Sequence, residues 1–457
     1  MRFIFMGKTN DLGHDNIVPL VIKLAVPTMI AQFVNVLYAI VDRMYIGNIP
    51  EIGDLALAGV GVCSPIITLL TSFGTLVGIG GSVLVSMRLG EKNKKRAEQI
   101  LANCFLTLIV LSIVLTVIFL FLKGHLLTWF GASDVTFPYA NTYLTIYTAG
   151  TFFALLALGM NYFIICQGYS TIGMITVVIG AILNIILDSV FVFICNLGVA
   201  GAAYATVLSQ MASCAFVLCF LFSKKPQVRI TFSGYSFSII KRVLMIGFSP
   251  FVILATDSVL IISLNTVLQR FGGAEGDMLI ATATIVQSYM TLITSPMLGI
   301  TSGSQPLLSF NYGAKKEQRV TKGIQAILAC CLVFTTIMFL VSRFLPQYFV
   351  RLFTSDPAYM ELSIWGIKVF TLSVIPLSFQ YAFVDSFTAL SATKIALFLS
   401  LARKTLYLVL TIALPALFVA RAAFYAEPLS DLIASITSTT FFFLLYKKHM
   451  ANRMREA

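Results

Sequence analysis

A few oxygen-bearing side chains lie inside segments that are otherwise apolar. In chain order they are Asp42, Asn184, Asp188 and Thr206. Asn184 and Asp188 are four residues apart, so they share one face of a helix. Two carboxylates with an amide and a hydroxyl offer hard oxygen ligands to Na⁺, and two neighbouring carboxylates are equally able to share a proton. We therefore predict a site for a coupling cation, Na⁺ or H⁺, at these four residues.

Each of these residues also has a purely structural interpretation. Asp42 stands next to Arg43 and is able to form a salt bridge or an interfacial anchor. Asp188 is able to take part in a satisfied hydrogen bond between helices, and Asn184 and Thr206 are able to hold helices together. Ionisable groups at membrane depth cost about 2.5–3.5 kcal/mol each on insertion scales, so both acids are functional candidates.

Composition identifies the medium in which these residues must work. Of 457 residues, 58% are hydrophobic and 11% are charged, and the mean hydropathy is +0.92. Globular proteins are about 45–50% apolar and about 25% charged. A soluble protein of this composition would expose large apolar patches. Soluble enzymes, disordered chains and fibrous repeats are therefore excluded, and we predict an all-α integral membrane protein.

Apolar runs long enough to cross a bilayer, which takes roughly 20 residues, occur twelve times. They are 17–43, 54–85, 98–122, 138–162, 169–194, 198–222, 240–268, 278–308, 321–343, 359–387, 394–417 and 425–446. The net charge is +12, and basic residues cluster after spans two, six and eight and in the tail. Such clusters between apolar runs indicate positive-inside topology rather than nucleic-acid binding. We expect a multi-pass membrane protein with both termini in the cytoplasm.

This topology places the four polar residues at one depth. Span five runs outward, so Asp188 lies about a turn and a half below its outer end. Asp42 lies near the outer end of span one, and Thr206 about two turns below the outer end of span six.

Glu427 and Asp431 open span twelve, where acids at a helix N-terminus are ordinary.

The two halves of the chain are copies of one unit. A shift of 223 residues without a gap pairs Pro27 with Pro250, Gly53 with Gly276, Asp54 with Asp277 and Gly80 with Gly303. Six spans per copy give both copies the same orientation. We expect two six-helix lobes related by a pseudo-two-fold axis along the membrane normal. The boundaries would be an N-lobe at 1–222, a linker at 223–239, a C-lobe at 240–446 and a basic cytoplasmic tail at 447–457.

Two further sets of residues are candidates for transport. Pro27 and Pro250 interrupt the first span of each half and are predicted to bend these helices. Most transmembrane prolines form only a static kink; the alternative hypothesis is a bend that changes when the cation binds, since span one also carries Asp42. A substrate cleft is predicted at Asn35, Tyr38, Asp257, Gln287 and Asp385. Asp257 and Asp385 would attract cationic substrates, although packing against Arg403 or Lys404 is an equal interpretation.

Several stretches of the chain resemble a known protein family. The stretches "NVLYAIVDRMYIGNIPEIGDLALAGVGVCSPI" and "GIGGSVLVSMRLGEKNKKRAEQ" resemble multidrug and toxic compound extrusion (MATE) transporters. "GITSGSQPLLSFNYGAKK" and "AEPLSD" are similar to the MepA-type bacterial branch. The resemblance implies export of bulky, often cationic organic compounds, driven by Na⁺ or H⁺.

The resemblance also bears on single residues. Members with an N-lobe cation site have an Asp in helix one, an Asn and an Asp four apart in helix five, and a Thr in helix six. These positions match Asp42, Asn184, Asp188 and Thr206, and the family's helix-bending proline matches Pro27. The acids that another branch uses in helices seven and ten do not align with Asp257 and Asp385.

We therefore interpret the chain as a secondary antiporter, not an enzyme. It would act as a monomer on small organic substrates among membrane lipids, with no cofactor and no nucleic acid. A lipid-linked precursor flippase is the alternative, and it would line its cleft with several Arg or Lys residues. A membrane enzyme would need a catalytic cluster, and a nucleotide-driven pump a GxxxxGK[ST] loop, and the sequence contains neither.

Overall fold

The computed structural model describes residues 10–130, 132–354 and 356–455, and every regular element in these ranges is helical. The first half contains α1 Ile17–Gly47, α2 Gly53–Gly90, α3 Lys94–Trp129, α4 Phe137–Ala149, α5 Thr151–Ile165, α6 Ser170–Asp188 and α7 Gly198–Phe222. The second half contains α8 Phe237–Gly272, α9 Gly276–Gly313, α10 Glu317–Phe344, α11 Pro346–Val350, α12 Pro357–Phe370, α13 Val374–Ala389, α14 Thr393–Leu417 and α15 Ala426–Arg455.

The membrane spans agree with the sequence-based prediction. Among the described residues, 11 helices are long and apolar enough to cross a membrane. The helices α4 and α5, which pass the same test together and are bent by 56°, make twelve if the pair is counted as one span. The bend falls at Gly150, where an added Cβ would lie 2.5 Å from a methyl group of Val207. The predicted fold class, an all-α integral membrane protein, is confirmed.

By its internal contacts the chain divides into two compact units. Unit 1 comprises the described residues before Asn16 and Ile30–Leu254, and unit 2 comprises Asn16–Met29 and the described residues from Ala255 onward. Helix α1 therefore begins in unit 2 and ends in unit 1, whereas α8 begins in unit 1 and ends in unit 2. Pro27 and Pro250 lie shortly before these two changes of unit.

In unit 1, α2 packs against α3 and α5, and α7 packs against α5 and α6. The first part of α8 contacts α2 through glycines, since a Cβ on Gly80 would lie 2.1 Å from the Val243 carbonyl oxygen. A Cβ on Gly247 would lie 1.7 Å from the carbonyl oxygen of Leu76. Only glycine permits backbones to approach this closely.

In unit 2, α9 packs against α10, α12 and α13, and α15 packs against α13 and α14. The first part of α1 contacts α9 at Gly299, whose carbonyl oxygen accepts a 2.7 Å hydrogen bond from the Thr28 hydroxyl. A Cβ on Gly303 would lie 1.9 Å from Thr28 Oγ1. Gly303 is the duplicate of Gly80, so the repeat in the sequence is also a repeat in packing.

Candidate cation site

Asp188 occupies a change of helix type. It is the last residue of α6, and the backbone continues as a π-helix over Ser189–Ile194. Short π-helical segments in membrane and soluble proteins occur frequently at functional sites. The Ser189 hydroxyl lies 3.0 Å from the hydroxyl of Tyr45, and the Tyr45 and Phe193 rings meet edge to face at 5.8 Å. These contacts join the π-helix to the end of α1 that carries Asp42.

Asn184 and Thr206 join α6 to α7. Asn184 Nδ2 donates to Thr206 Oγ1 over 3.4 Å, and both side chains are buried. Asn184 Oδ1 is also buried and accepts no hydrogen bond from the described residues. The amide thus presents one spare acceptor one helical turn before Asp188.

Asp42 and Asp188 meet within unit 1. Their carboxyl groups are close enough to interact electrostatically, and the two residues are 9% and 0% exposed. Neither oxygen of Asp188 nor Oδ1 of Asp42 receives a hydrogen bond from a described residue. A buried carboxylate without a donor or a countercharge is costly. The pair therefore has the chemistry of a site that accepts a cation.

The described residues show neither of the structural roles considered for the two acids. No ion pair within 4 Å joins Asp42 to Arg43 there, and Arg43 is exposed. Asp188 makes no satisfied interhelical hydrogen bond with this part of the chain. The packing role of Asn184 and Thr206, in contrast, is present, because they bond to each other.

Tyrosines that the sequence analysis did not single out surround the pair. Tyr143 and Tyr147 on α4 are buried, and their rings stack at 6.4 Å. Tyr143 lies close to Thr206 and to Asp42. Gln210 Nε2 donates to the Tyr147 hydroxyl over 3.3 Å. The four-residue spacings of 143 and 147, and of 206 and 210, are the sequence signal that would have found them.

The predicted substrate-cleft residues are divided between the units. Asn35 and Tyr38 are partly buried in unit 1, and Tyr38 lies close to Asp42 and Asp188. Gln287 is partly buried on α9 in unit 2. Asp385 accepts a hydrogen bond from the Thr301 hydroxyl on α9. The cleft itself stays a prediction.

Unit 2 contains a second group of charged side chains within its helices. Asp257 on α8 forms an ion pair with Lys404 on α14, which is the packing interpretation of Asp257. The neighbouring Arg403 pairs with Asp431 at 2.6 Å and approaches Glu427 at 3.7 Å. Every acid in this group therefore has a basic partner, in contrast to the pair in unit 1.

Glu427 and Asp431 contact a basic residue, which the sequence analysis did not expect. The sequence analysis interpreted both as ordinary acids at a helix N-terminus. Asp431 is instead fully buried and forms an ion pair with Arg403. Their four-residue spacing places them on one face of α15. The same spacing identified Asn184 and Asp188, and it applied equally here.

Known proteins resemble this chain over most of its length. Multidrug export protein MepA from Staphylococcus haemolyticus is 24% identical over 403 residues, which cover 88% of this chain and 86% of the relative. Solved structures of a MATE protein in straight and bent conformations each match with a TM-score of 0.89 at 21% identity, covering 98% of this chain and 100% of theirs.

These structures share the fold of the chain. The MatE family model matches residues 27–190 and 254–414, more than half of the sequence and part of both duplicated halves. The matched ranges include Pro27, the candidate cation-site residues Asp42, Asn184 and Asp188, and Asp257. The chain belongs to the MatE family.

Proposed function

We propose that the chain is a secondary active antiporter that exports small organic compounds, often cationic, in exchange for Na⁺ or H⁺. The observation that carries the proposal is the carboxyl pair of Asp42 and Asp188, buried with no basic partner among the described residues. Multidrug export is what the MepA relatives are named for. The proposal sets this chain in a bacterial plasma membrane, as a monomer with both termini cytoplasmic.

The cation would be bound by oxygen atoms from three helices. Asp42, Asp188, Asn184 and Thr206 together supply two carboxylates, an amide oxygen and a hydroxyl. Na⁺ would use these oxygens as ligands, whereas H⁺ would be shared between the two carboxyl groups. Either ion reduces the negative charge that burial makes costly.

Coupling requires that the cation and the substrate favour different conformations. Asp42 lies on the part of α1 that belongs to unit 1, and Pro27 lies on the part that belongs to unit 2. Proline removes one backbone hydrogen bond and lowers the cost of bending. A MATE relative of the same fold has been solved both straight and bent. We infer that cation loading at Asp42 and Asp188 changes the bend of α1 near Pro27.

The flippase alternative is disfavoured by the charges of unit 2. Recognition of a pyrophosphate would need basic side chains that are not already neutralised. Arg403 is paired with Asp431, and Lys404 with Asp257. We assign substrate contacts instead to Asn35, Tyr38, Gln287 and Asp385, which offer aromatic, amide and acidic groups for an organic cation. Asp257, the fifth predicted cleft residue, is neutralised by Lys404.

Transport into inverted membrane vesicles tests the proposal. A fluorescent organic cation is supplied outside, and a Na⁺ gradient and a pH gradient are imposed in separate experiments. We expect accumulation with one gradient and its loss in Asp188→Asn vesicles. Accumulation that needs neither gradient, or that survives Asp188→Asn at full rate, would overturn the coupling mechanism. Vesicles with Asp134→Asn, an exposed acid, provide the matched control.

A further inference from the structure

A groove in unit 2 combines basic and apolar residues at the ends of two helices. It has a volume of about 690 Å³ and lies between the first turn of α1 and the first turns of α10. Its rim includes Arg319 and Lys322, and its wall includes Ile17, Val18, Ala326 and Ala329. Such a volume is within the range of about 300–1,000 Å³ typical of small-ligand sites.

The lining changes from charged to apolar along one face of α10. Gln318, Lys322, Gln325 and Ala329 recur at intervals of four, three and four residues, which is the spacing of a single helix face. This face is about 16 Å long at 1.5 Å per residue. Because α10 begins at the basic end, the groove runs from the predicted cytoplasmic surface into the bilayer.

The charges at the rim favour an anion. Arg319 Nε donates to Asn311 Oδ1 over 3.0 Å, which anchors the guanidinium group beside the groove. Lys322 is exposed and forms no ion pair with the described residues. Helix α1 also starts here, and the partial positive charge of a helix N-terminus adds to that of the side chains.

We propose that this groove binds one anionic phospholipid of the cytoplasmic leaflet. Its phosphate would lie at Arg319 and Lys322, and an acyl chain would follow the small side chains Ala326 and Ala329. Basic pockets between transmembrane helices on the cytoplasmic side are suited to anionic headgroups. The apolar wall, including the 59% exposed Val18, distinguishes a lipid from a free phosphate, which needs no such wall. This site is independent of the exported compound.

Native mass spectrometry of the full chain in detergent tests the proposal with added dioleoylphosphatidylglycerol. We expect one retained lipid per chain, and weaker retention of dioleoylphosphatidylcholine. Lys322→Gln should weaken binding about fivefold, since a basic residue near the membrane surface contributes about 1 kcal/mol. Lys224→Gln removes the same charge from the linker outside the groove and should leave binding unchanged. Ala329→Phe, which fills the groove at constant charge, should also abolish retention while thermal unfolding stays the same.

Several results would overturn the assignment. Equal retention of the two lipids, or an equal effect of Lys224→Gln, would indicate non-specific attraction to the surface. Displacement of the lipid by equimolar glycerol 1-phosphate would show that a free phosphate is sufficient. A dimer mass that replaces the lipid adduct would assign the groove to a second copy of the chain.

Discussion

Asn184 Nδ2 donates to Thr206 Oγ1 over 3.4 Å, which joins α6 to α7 one turn before Asp188. Because the hydroxyl of Thr206 accepts this bond, its own proton remains available for Tyr143 or for a carboxylate. The bond also holds the Asn184 amide so that its buried Oδ1 has no donor among the described residues. Two neutral groups and two acids thus occupy one region of unit 1, and their roles are separable by mutation.

Thr206→Val removes the hydroxyl at nearly constant volume. We expect the cation concentration for half-maximal transport to rise about threefold to tenfold, because one hydrogen-bonding group contributes about 0.5–1.5 kcal/mol. The measurement is transport in vesicles over a series of Na⁺ concentrations and pH values. Thr206→Ser keeps the hydroxyl and should restore the cation dependence. If Thr206→Ser and Thr206→Val show the same cation dependence, Thr206 acts by packing alone.

Asp188→Asn keeps the shape of the side chain and removes its charge. We expect drug resistance in a sensitive host to fall to that of the empty vector, since no carboxylate pair remains to load the cation. Membrane expression is measured in parallel by quantitative blotting and should be unchanged. Efflux at the normal rate would reject the cation-site assignment. Asp134→Asn should have no effect, because Asp134 is exposed in a connection.

Pro27→Ala restores a backbone N–H inside α1. Since proline in a helix interior costs about 3 kcal/mol, its removal favours a continuous straight helix. We expect slower transport and slower amide hydrogen exchange in the turn that precedes residue 27, where the missing bond would join residue 27 to the carbonyl of Lys23. Pro65→Ala makes the same change inside α2, and we expect a smaller effect on transport. Unchanged exchange in α1 would contradict a bending role for Pro27.

The ion pair of Asp257 and Lys404 should respond asymmetrically to mutation. The Lys404 side chain is 5% exposed, whereas that of Asp257 is 47% exposed. Asp257→Asn removes the carboxylate that pairs with a buried ammonium, so we expect a loss of about 1–3 kcal/mol in the free energy of unfolding. Lys404→Met removes the ammonium from a carboxylate that is half exposed, and we expect a smaller loss.

Denaturant unfolding of both variants in detergent micelles provides the measurement for this pair. The double variant Asp257→Asn/Lys404→Met should recover most of the stability lost in Asp257→Asn. Equal losses in the two single variants would mean that the exposure of Asp257 does not screen its charge.

The spans were predictable because they depend on local patterns, and the same kind of pattern led to the candidate cation-site residues. Hydropathy over about 20 residues locates a span, and the four-residue spacing of Asn184 and Asp188 locates a helix face. The bend at Gly150 left span four intact as an apolar run, so hydropathy did not reveal it. At the bend Gly150 packs against Val207, a residue distant in sequence.

The ion pairs of unit 2 were harder to predict from the sequence. Pairing of Asp257 with a base was one of two interpretations, but the sequence offered no means to choose between Arg403 and Lys404. Adjacent residues on a helix point in directions about 100° apart, so one reaches α8 and the other reaches α15. Only tertiary packing decides which of the two bases pairs with Asp257. The same packing gives Glu427 and Asp431 partners that their position at the start of a helix did not imply.

The division of α1 and α8 between the units has a consequence for biosynthesis. Unit 1 lacks part of its packing until Phe237–Leu254 leaves the ribosome, after more than half of the chain has been made. Asn16–Met29, inserted first, must await the whole second repeat before it finds its neighbours. Neither duplicated half is thus a self-sufficient folding module, and the ancestral single repeat would have needed a twin molecule to lend it that helix.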